Sequence, residues 1–246
     1  MHYNFVAPKM ELAGYQPVPG WTQKPEILRT QLFDHAAATD FARLVIAAHM
    51  AGQSAPSRTR YAQKQNKDWD VNKAFRSSKN VPPSLEGMLP AFAAMQAFAE
   101  QSLPAFGVDA RAYTVRSVDD QCLFYQEGDY VCDHADDSAL DESDGLNIWR
   151  PVKPDRHLVG IVWLTSQRDE VLSSTDDPYA FSGGELRVNS LVDAVNGTPL
   201  SVIPQAGTMV LFPANPWYRH EVLPVRGGNR VALTTWWKIC AKTDEE

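Results

Sequence analysis

Apolar residues recur along this chain with two different periods, and the change of period divides it. Phe41, Leu44, Val45 and Ala48 fall at i, i+3, i+4 and i+7, which predicts an amphipathic helix capped by Thr39 or Asp40 and stopped at Gly52. Leu85, Met88, Leu89, Phe92, Met95 and Phe98 predict a second helix from Ser84 to about Leu103, bracketed by Pro83 and Pro104. Pro90 lies within its first two turns and either kinks the helix or marks its true start. After Val108 the pattern turns to short strands. They run from Ala110 to Val118, Gln121 to Gln126, Tyr130 to His134, Glu185 to Asn189, Leu200 to Ile203, Thr208 to Phe212, Arg219 to Leu223 and Arg230 to Ile239. The near-continuous apolar run LVGIVWLT, Leu158 to Thr165, fits a strand buried on both faces.

Two stretches show neither period. The first thirty residues are proline-rich and read as an extended arm. Ser54 to Asn80 is polar and basic, which fits either a solvated loop or a flap that recruits an acidic substrate. Helices followed by a β core give an α+β, mainly β chain. One domain over 1–246 is the simplest account, with arm and helical support over 1–108 and the core over 109–241. Many short strands with turns between them suggest a sandwich or barrel, of which the double-sheet jelly roll of the cupin kind is one member.

Composition narrows the function. A net charge of −7 argues against a non-specific grip on nucleic acid, which needs a basic face. Three cysteines without a CxxC pair fit a reducing compartment. The N-terminal sequence has neither the basic start nor the apolar run of a signal peptide, and no stretch has the ~20 apolar residues of a membrane span. These features predict a soluble, cytoplasmic protein.

Candidate chemistry begins at CDHADD, residues 132 to 137. Residues i and i+2 of a strand share a face, so His134 and Asp136 at a strand end would aim an imidazole and a carboxylate at one point. Two ligands hold a metal poorly. His220, in the strand-like WYRHEVLPV, is the candidate third. Two histidines and one carboxylate form the facial triad that leaves positions open on iron(II). Ten residues on, past Gly-Gly-Asn, Arg230 opens the next strand, and a hairpin there would fold it back toward the site floor. A guanidinium so placed suits a dicarboxylate, which it grips by a forked, charge-assisted pair.

Tyr125-x-x-Gly128, His134-x-Asp136, Phe181-Ser-Gly-Gly-Glu-Leu186, Pro204-x-x-Gly207, Leu211-Phe-Pro213, His220, Pro224-Val225, Gly228-x-Arg230 and Trp236 stand in an order that resembles the 2-oxoglutarate/iron(II) dioxygenases of the prolyl-4-hydroxylase-like group. The resemblance spans about residues 110 to 240, and upstream Arg76-Ser77-Ser78 is similar to that group's Arg-Ser/Thr-Ser. It implies a double-stranded β-helix core, with iron(II) on His134, Asp136 and His220. It places the distal carboxylate of 2-oxoglutarate on Arg230 and has the Tyr125 hydroxyl help seat that co-substrate. Dioxygen is the second co-substrate and ascorbate a candidate reductant. The implied reaction hydroxylates an unactivated C–H of an amino-acid-derived substrate, peptidyl or small, and releases succinate and carbon dioxide. Trp236 stands where the group has an aromatic lining the pocket, and Trp163 where relatives often carry a tyrosine that touches the same distal carboxylate. Each also reads as plain core packing, although the Trp163 indole N–H could donate one hydrogen bond.

Departures from the pattern matter as well. Tyr130 stands four residues before His134, where the group has a tyrosine three before, so no role carries over. Many prolyl hydroxylases have lysine at the Arg230 position. Trp236 occupies the place of the second arginine of nucleic-acid demethylases, which argues again against nucleic acid. Asp136 leaves no ligand position vacant for a halide. The long acidic loop Ser138 to Asp155 is expected to shape the entrance, Cys132 to be a small buried side chain, and Asp133 and Asp137 to be supporting or solvated acids. The alternative to an oxygenase is a cupin-like metal-binding module or non-oxygenase metalloprotein with the same triad. It would have no need of Arg230 or Tyr125.

Overall fold

The computed structural model describes residues 3–5, 27–58, 73–141, 148–169 and 177–242. Most of the proline-rich arm, residues 59–72 of the basic segment and residues 142–147 of the acidic loop lie outside the described residues. Two antiparallel sheets face each other. The larger runs in the order Leu28–Gln31, Thr208–Pro213, Leu158–Trp163, Arg230–Ala241, Tyr113–Tyr125, Lys79–Val81, Ala55–Pro56. The smaller runs Tyr3–Phe5, Leu186–Asp193, His220–Val222, Val131–His134, with Pro199–Val202 also paired to Leu186–Asp193. This is the predicted jelly roll. The two predicted strands from Ala110 to Gln126 are one long strand, whose register against Arg230–Ala241 shifts between Trp236 and Trp237.

Strand alternation divides the labour of the central strand. Val231, Leu233, Trp237 and Ile239 pack in one apolar cluster with Ala42 and Val45 of helix α1 (His35–Met50) and Met95 and Ala99 of helix α2 (Leu89–Gln101). Each fully buried side chain of this size contributes roughly 1.5–3 kcal/mol. The Trp237 indole N–H donates to Gln96 Oε1 at 2.6 Å and ties α2 to the sheet. Arg230, Ala232, Thr234 and Trp236 face the other way, into a cavity between the sheets.

Both helices differ from expectation at their starts. Helix α1 begins at His35 because the Asp34 carboxylate accepts the Ala37 N–H at 2.8 Å, and Thr39 lies inside the helix with its hydroxyl donating to the His35 carbonyl. The alanines of the first turn are silent in the hydrophobic period. In α2, Pro90 marks the start and no kink is needed, since its missing N–H falls in the first turn. No helix among the described residues is long and apolar enough to cross a membrane.

The expected hairpin from His220 to Arg230 is not found. His220–Val222 belongs to the smaller sheet and Arg230–Ala241 to the larger. Between them Val225–Gly228 pairs with Ala180–Gly183. Gly228 has φ +77°, and a Cβ there would collide with the Ala180 carbonyl oxygen, so the crossing admits only glycine. Arg230 still reaches the site floor, by a crossover between sheets.

Candidate metal centre and its cavity

His134 and His220 are direct partners on neighbouring antiparallel strands, so their rings emerge side by side, with centroids 4.5 Å apart. Each Nδ1 lies 2.9 Å from a backbone carbonyl, Cys132 for His134 and Tyr218 for His220. A carbonyl only accepts, so each Nδ1 carries the proton and each Nε2 lone pair is left facing the other ligands. Asp136 follows two residues after His134. Its loop is held where the backbone N–H groups of Asp136 and Asp137 both donate to the Ala214 carbonyl, at 3.0 and 3.1 Å. Its carboxylate oxygens stand 3.7 Å from His134 Nε2 and 3.8 Å from His220 Nε2.

These three residues could hold a metal ion. Their ligand atoms lie within 4.8 Å of one another. Asp136 Oδ2 is buried and has no hydrogen-bond partner, a deficit that a cation would remove. Burial pushes the Asp136 carboxyl upward, but His220, His134 and Arg156 outweigh it and hold it below the usual carboxylate range. Burial and the neighbouring His134 lower His220, which keeps that imidazole neutral. The fixed charge of Arg156 is therefore the part of the pull on Asp136 that does not depend on histidine protonation.

The triad opens into a cavity of about 490 Å³. At its floor Arg230, 1% exposed, pairs in the sheet register with Tyr125, 2% exposed. The guanidinium carbon sits 4.6 Å from the Tyr125 ring centroid, and Nε donates to the Gly184 carbonyl at 3.0 Å. Burial lowers the Arg230 pKa while Tyr125 partly offsets it. Among the described residues no carboxylate pairs with Arg230. A buried guanidinium without a counter-charge is expensive, and an incoming carboxylate would relieve it.

Trp236 lines the cavity. Trp163 is fully buried in the cluster between the sheets, with Val210, Phe212 and Tyr218, and is not among the residues lining the cavity. Its packing matches the core reading. Its indole nitrogen nonetheless lacks a partner, as does that of Trp236. The sequence reading missed Arg156. Its guanidinium lies 3.9 Å over the Trp236 ring, pairs with Asp119 at 2.6 Å and donates to the Asp136 carbonyl at 3.3 Å. No local signal marks it, since each contact comes from a distant segment.

Other expectations resolve as follows. The Tyr130 hydroxyl donates toward the Lys73 and Ala74 carbonyls, and Tyr130 is not among the residues lining the cavity. Asp133 approaches Arg219 and accepts from Asn189, and Asp137 is buried and accepts from the Ser138 hydroxyl. Cys132 is half-buried and lines the cavity, less enclosed than expected. The described ends of the acidic loop form a hairpin, Ser138–Asp141 with Ile148–Pro151, pinned by Arg150 on Asp141 at 2.6 Å. Leu140 and Trp149 form part of the cavity wall.

Two imidazoles and a carboxylate on a jelly roll, opening on a cavity with a buried arginine, fit the donor set of a non-haem iron oxygenase site. Residues 121–238 match the family model of the 2OG-Fe(II) oxygenase superfamily. The protein is a 2-oxoglutarate-dependent non-haem iron dioxygenase that uses iron(II), 2-oxoglutarate and dioxygen. Its fold is that of solved prolyl hydroxylases. The Pseudomonas putida prolyl-4-hydroxylase aligns at TM-score 0.53 and 18% identity, covering 87% of this chain and 92% of that one. A prolyl hydroxylase from Trichoplax adhaerens, solved with a hypoxia inducible factor oxygen degradation domain peptide fragment, aligns at 0.57 and 15%, covering 88% and 84%. The viral collagen prolyl hydroxylase of Paramecium Bursaria Chlorella virus-1, solved with 2OG, aligns at 0.52 and 14%, covering 90% and 99%. No curated protein matches the chain in sequence.

Proposed function

We propose that His134, Asp136 and His220 bind the iron(II), that Arg230 with Tyr125 holds the distal carboxylate of 2-oxoglutarate, and that the enzyme hydroxylates an amino-acid-derived substrate. The observation that carries this reading is the buried, carboxylate-free Arg230 at the floor of the cavity that holds the triad. A metal-binding module without oxygen chemistry gives that costly cation no purpose.

The bound iron supplies the redox chemistry, in which a C–H, 2-oxoglutarate and dioxygen become C–OH, succinate and carbon dioxide. The chain's own residues position and exclude. The fixed tautomers of His134 and His220 keep Nε2 on the metal side. Arg156 restrains the Asp136 loop through the backbone carbonyl. Arg230 sets the far end of the co-substrate, and the Tyr125 face above it shields that charge from water. The arm, helices and core are read as one catalytic domain, supported by the apolar cluster that helices and sheet share.

A peptidyl residue or a small molecule fits as substrate. The peptide bound to the Trichoplax relative supports the first option. The test is an anaerobic absorbance titration with iron(II) and then 2-oxoglutarate, followed by succinate measurement on admitting oxygen. A weak visible charge-transfer band that needs both additions, with oxygen-dependent succinate, is expected. Tight metal binding with neither would return the protein to the module reading.

A further inference from the structure

The cavity has a charge balance opposite to that of the chain. The protein carries 23 basic and 30 acidic residues, yet the cavity wall includes Arg58, Arg76, Lys153, Arg156 and Arg230 against only Asp133 and Asp136. Most of these charges already have partners. Asp136 belongs to the metal centre and Arg230 to the co-substrate. Arg156 is paired with Asp119, and Asp133 stands near Arg219. Arg76 is different. Among the described residues it pairs with no carboxylate, and its side-chain contacts are neutral: Nε donates to Ser78 Oγ at 2.7 Å, and a terminal nitrogen lies 3.5 Å from Gln121 Oε1.

Arg76 is also held in place. Its backbone bridges Val131, the Cys132 N–H donates to the Phe75 carbonyl at 2.9 Å, and the Ser77 N–H donates to the Tyr130 carbonyl at 3.1 Å. The segment thereby lies alongside the strand that carries His134, and Phe75 packs edge-on against the His134 ring at 5.9 Å. Ser78, which orients the guanidinium, is buried and hydrogen-bonded to Ser57 at 3.0 Å. Burial lowers the pKa of both Arg230 and Arg156, and the Arg76 charge adds to the lowering in each; Asp119 and Asp136 offset it for Arg156 and Tyr125 for Arg230, so three guanidinium charges converge here. Around them the wall is apolar, with Phe75, Leu123, Ile161 and Trp149.

We propose that the primary substrate presents a carboxylate on an apolar body, and that Arg76 takes this carboxylate in a charge-assisted pair beside the metal centre. This rests on the dioxygenase reading above and specifies its substrate class. A fixed guanidinium with unused donors near the reacting position selects an anion over its neutral isostere, because leaving the cation unpaired in a half-buried site costs more than losing one neutral contact. The same carboxylate could come from a free acid or from an aspartate or glutamate side chain in a peptide.

The test uses the iron(II)-loaded full chain with 2-oxoglutarate, reading succinate above the rate without added substrate. The probes are N-acetyl amino acids and short peptides containing Asp or Glu, each beside its amide counterpart (C-terminal amide, Asn or Gln). Carboxylates should stimulate turnover with apparent KM values about ten- to hundredfold below those of their amides, the range for one hydrogen bond to a charged group. Stimulation by the N-acetyl acids or by the peptides identifies the source. In Arg76→Gln the acid-to-amide KM ratio should move to near one, and Arg76→Lys should restore part of it. A folding defect would raise both KM values and leave their ratio intact. Amides as effective as acids in the wild type, an unchanged ratio in Arg76→Gln, or no stimulation by any probe would overturn the proposal. Absence of succinate from wild type even without added substrate, together with no charge-transfer band, would instead overturn the dioxygenase reading.

Discussion

Replacing Arg230 by methionine separates co-substrate binding from stability. Methionine fills a similar volume without charge. In the bound state the variant loses a forked pair to a carboxylate inside a closed floor, and truncating one partner of such a pair costs about 3–5 kcal/mol. Taking 3 kcal/mol, 2-oxoglutarate should bind roughly 150-fold more weakly. The apoprotein should barely notice. It loses the donor to Gly184, about 1 kcal/mol, and the contact with the Tyr125 ring, about 0.5–2 kcal/mol. It also sheds an unpaired buried cation whose desolvation costs several kcal/mol. The assay is anaerobic thermal unfolding with iron(II), with and without 2-oxoglutarate at about 100 times its wild-type Kd. Wild type should gain about 2.7 kcal/mol and the variant about 0.3 kcal/mol. At roughly 2–4 °C per kcal/mol for this chain length, that is a difference of about 5–10 °C in ligand-induced shift. A variant that keeps the full shift, or whose apoprotein loses more than about 3 kcal/mol, would refute the argument.

Three further outcomes follow from the same structure. Asp136→Ala should abolish stabilisation by iron(II), while its apoprotein folds, because the lost carboxylate oxygen had no protein partner; calorimetric metal titration checks this. His157, lowered chiefly by burial, accepts the Ile239 N–H on Nδ1 at 3.0 Å and stays neutral in the fold. The unfolded chain therefore takes up a proton near pH 6.5 that the folded chain refuses. Apoprotein stability should fall as pH drops below about 6.5 and level off beneath the folded value, and His157→Gln should remove up to about 1.4 kcal/mol per pH unit of that slope in urea titrations. Burial, helped by Asp120, pushes the Cys122 thiol up to about 12, so it should resist alkylation at pH 8 until urea is added, as read by peptide mass spectrometry.

How much of this was legible beforehand depended on how far apart the contributing residues lie. His134 and Asp136 could be paired from strand parity alone, and Trp237 and Leu233 could be assigned to the opposite face from Arg230 and Trp236. The facing of His134 and His220, and of Tyr125 and Arg230, is a matter of register between distant strands, which a single chain does not encode locally. Resemblance to a family supplied those partners. Where it was silent, the reading failed: Arg156 looks like any surface arginine until Trp236, Asp119 and the Asp136 carbonyl surround it. The false hairpin before Arg230 has a similar cause. Gly227 and Gly228 lie in a strand, and glycine composition reads as a turn when the strand's partner, Ala180–Gly183, is unseen.

The two-faced central strand also bears on how this enzyme can be altered. Ala232 and Thr234 sit between Arg230 and Trp236 and line the cavity, while their immediate neighbours Val231 and Leu233 carry the helix-packing core. Reaction space and scaffold are thus written on alternate residues of one segment. Substitutions at 232 and 234 can enlarge or narrow the room around the reacting carbon without touching the layer that holds the helices. A saturation library at those two positions should therefore diverge in substrate range far more than in melting temperature. The matching library at 231 and 233 should do the reverse.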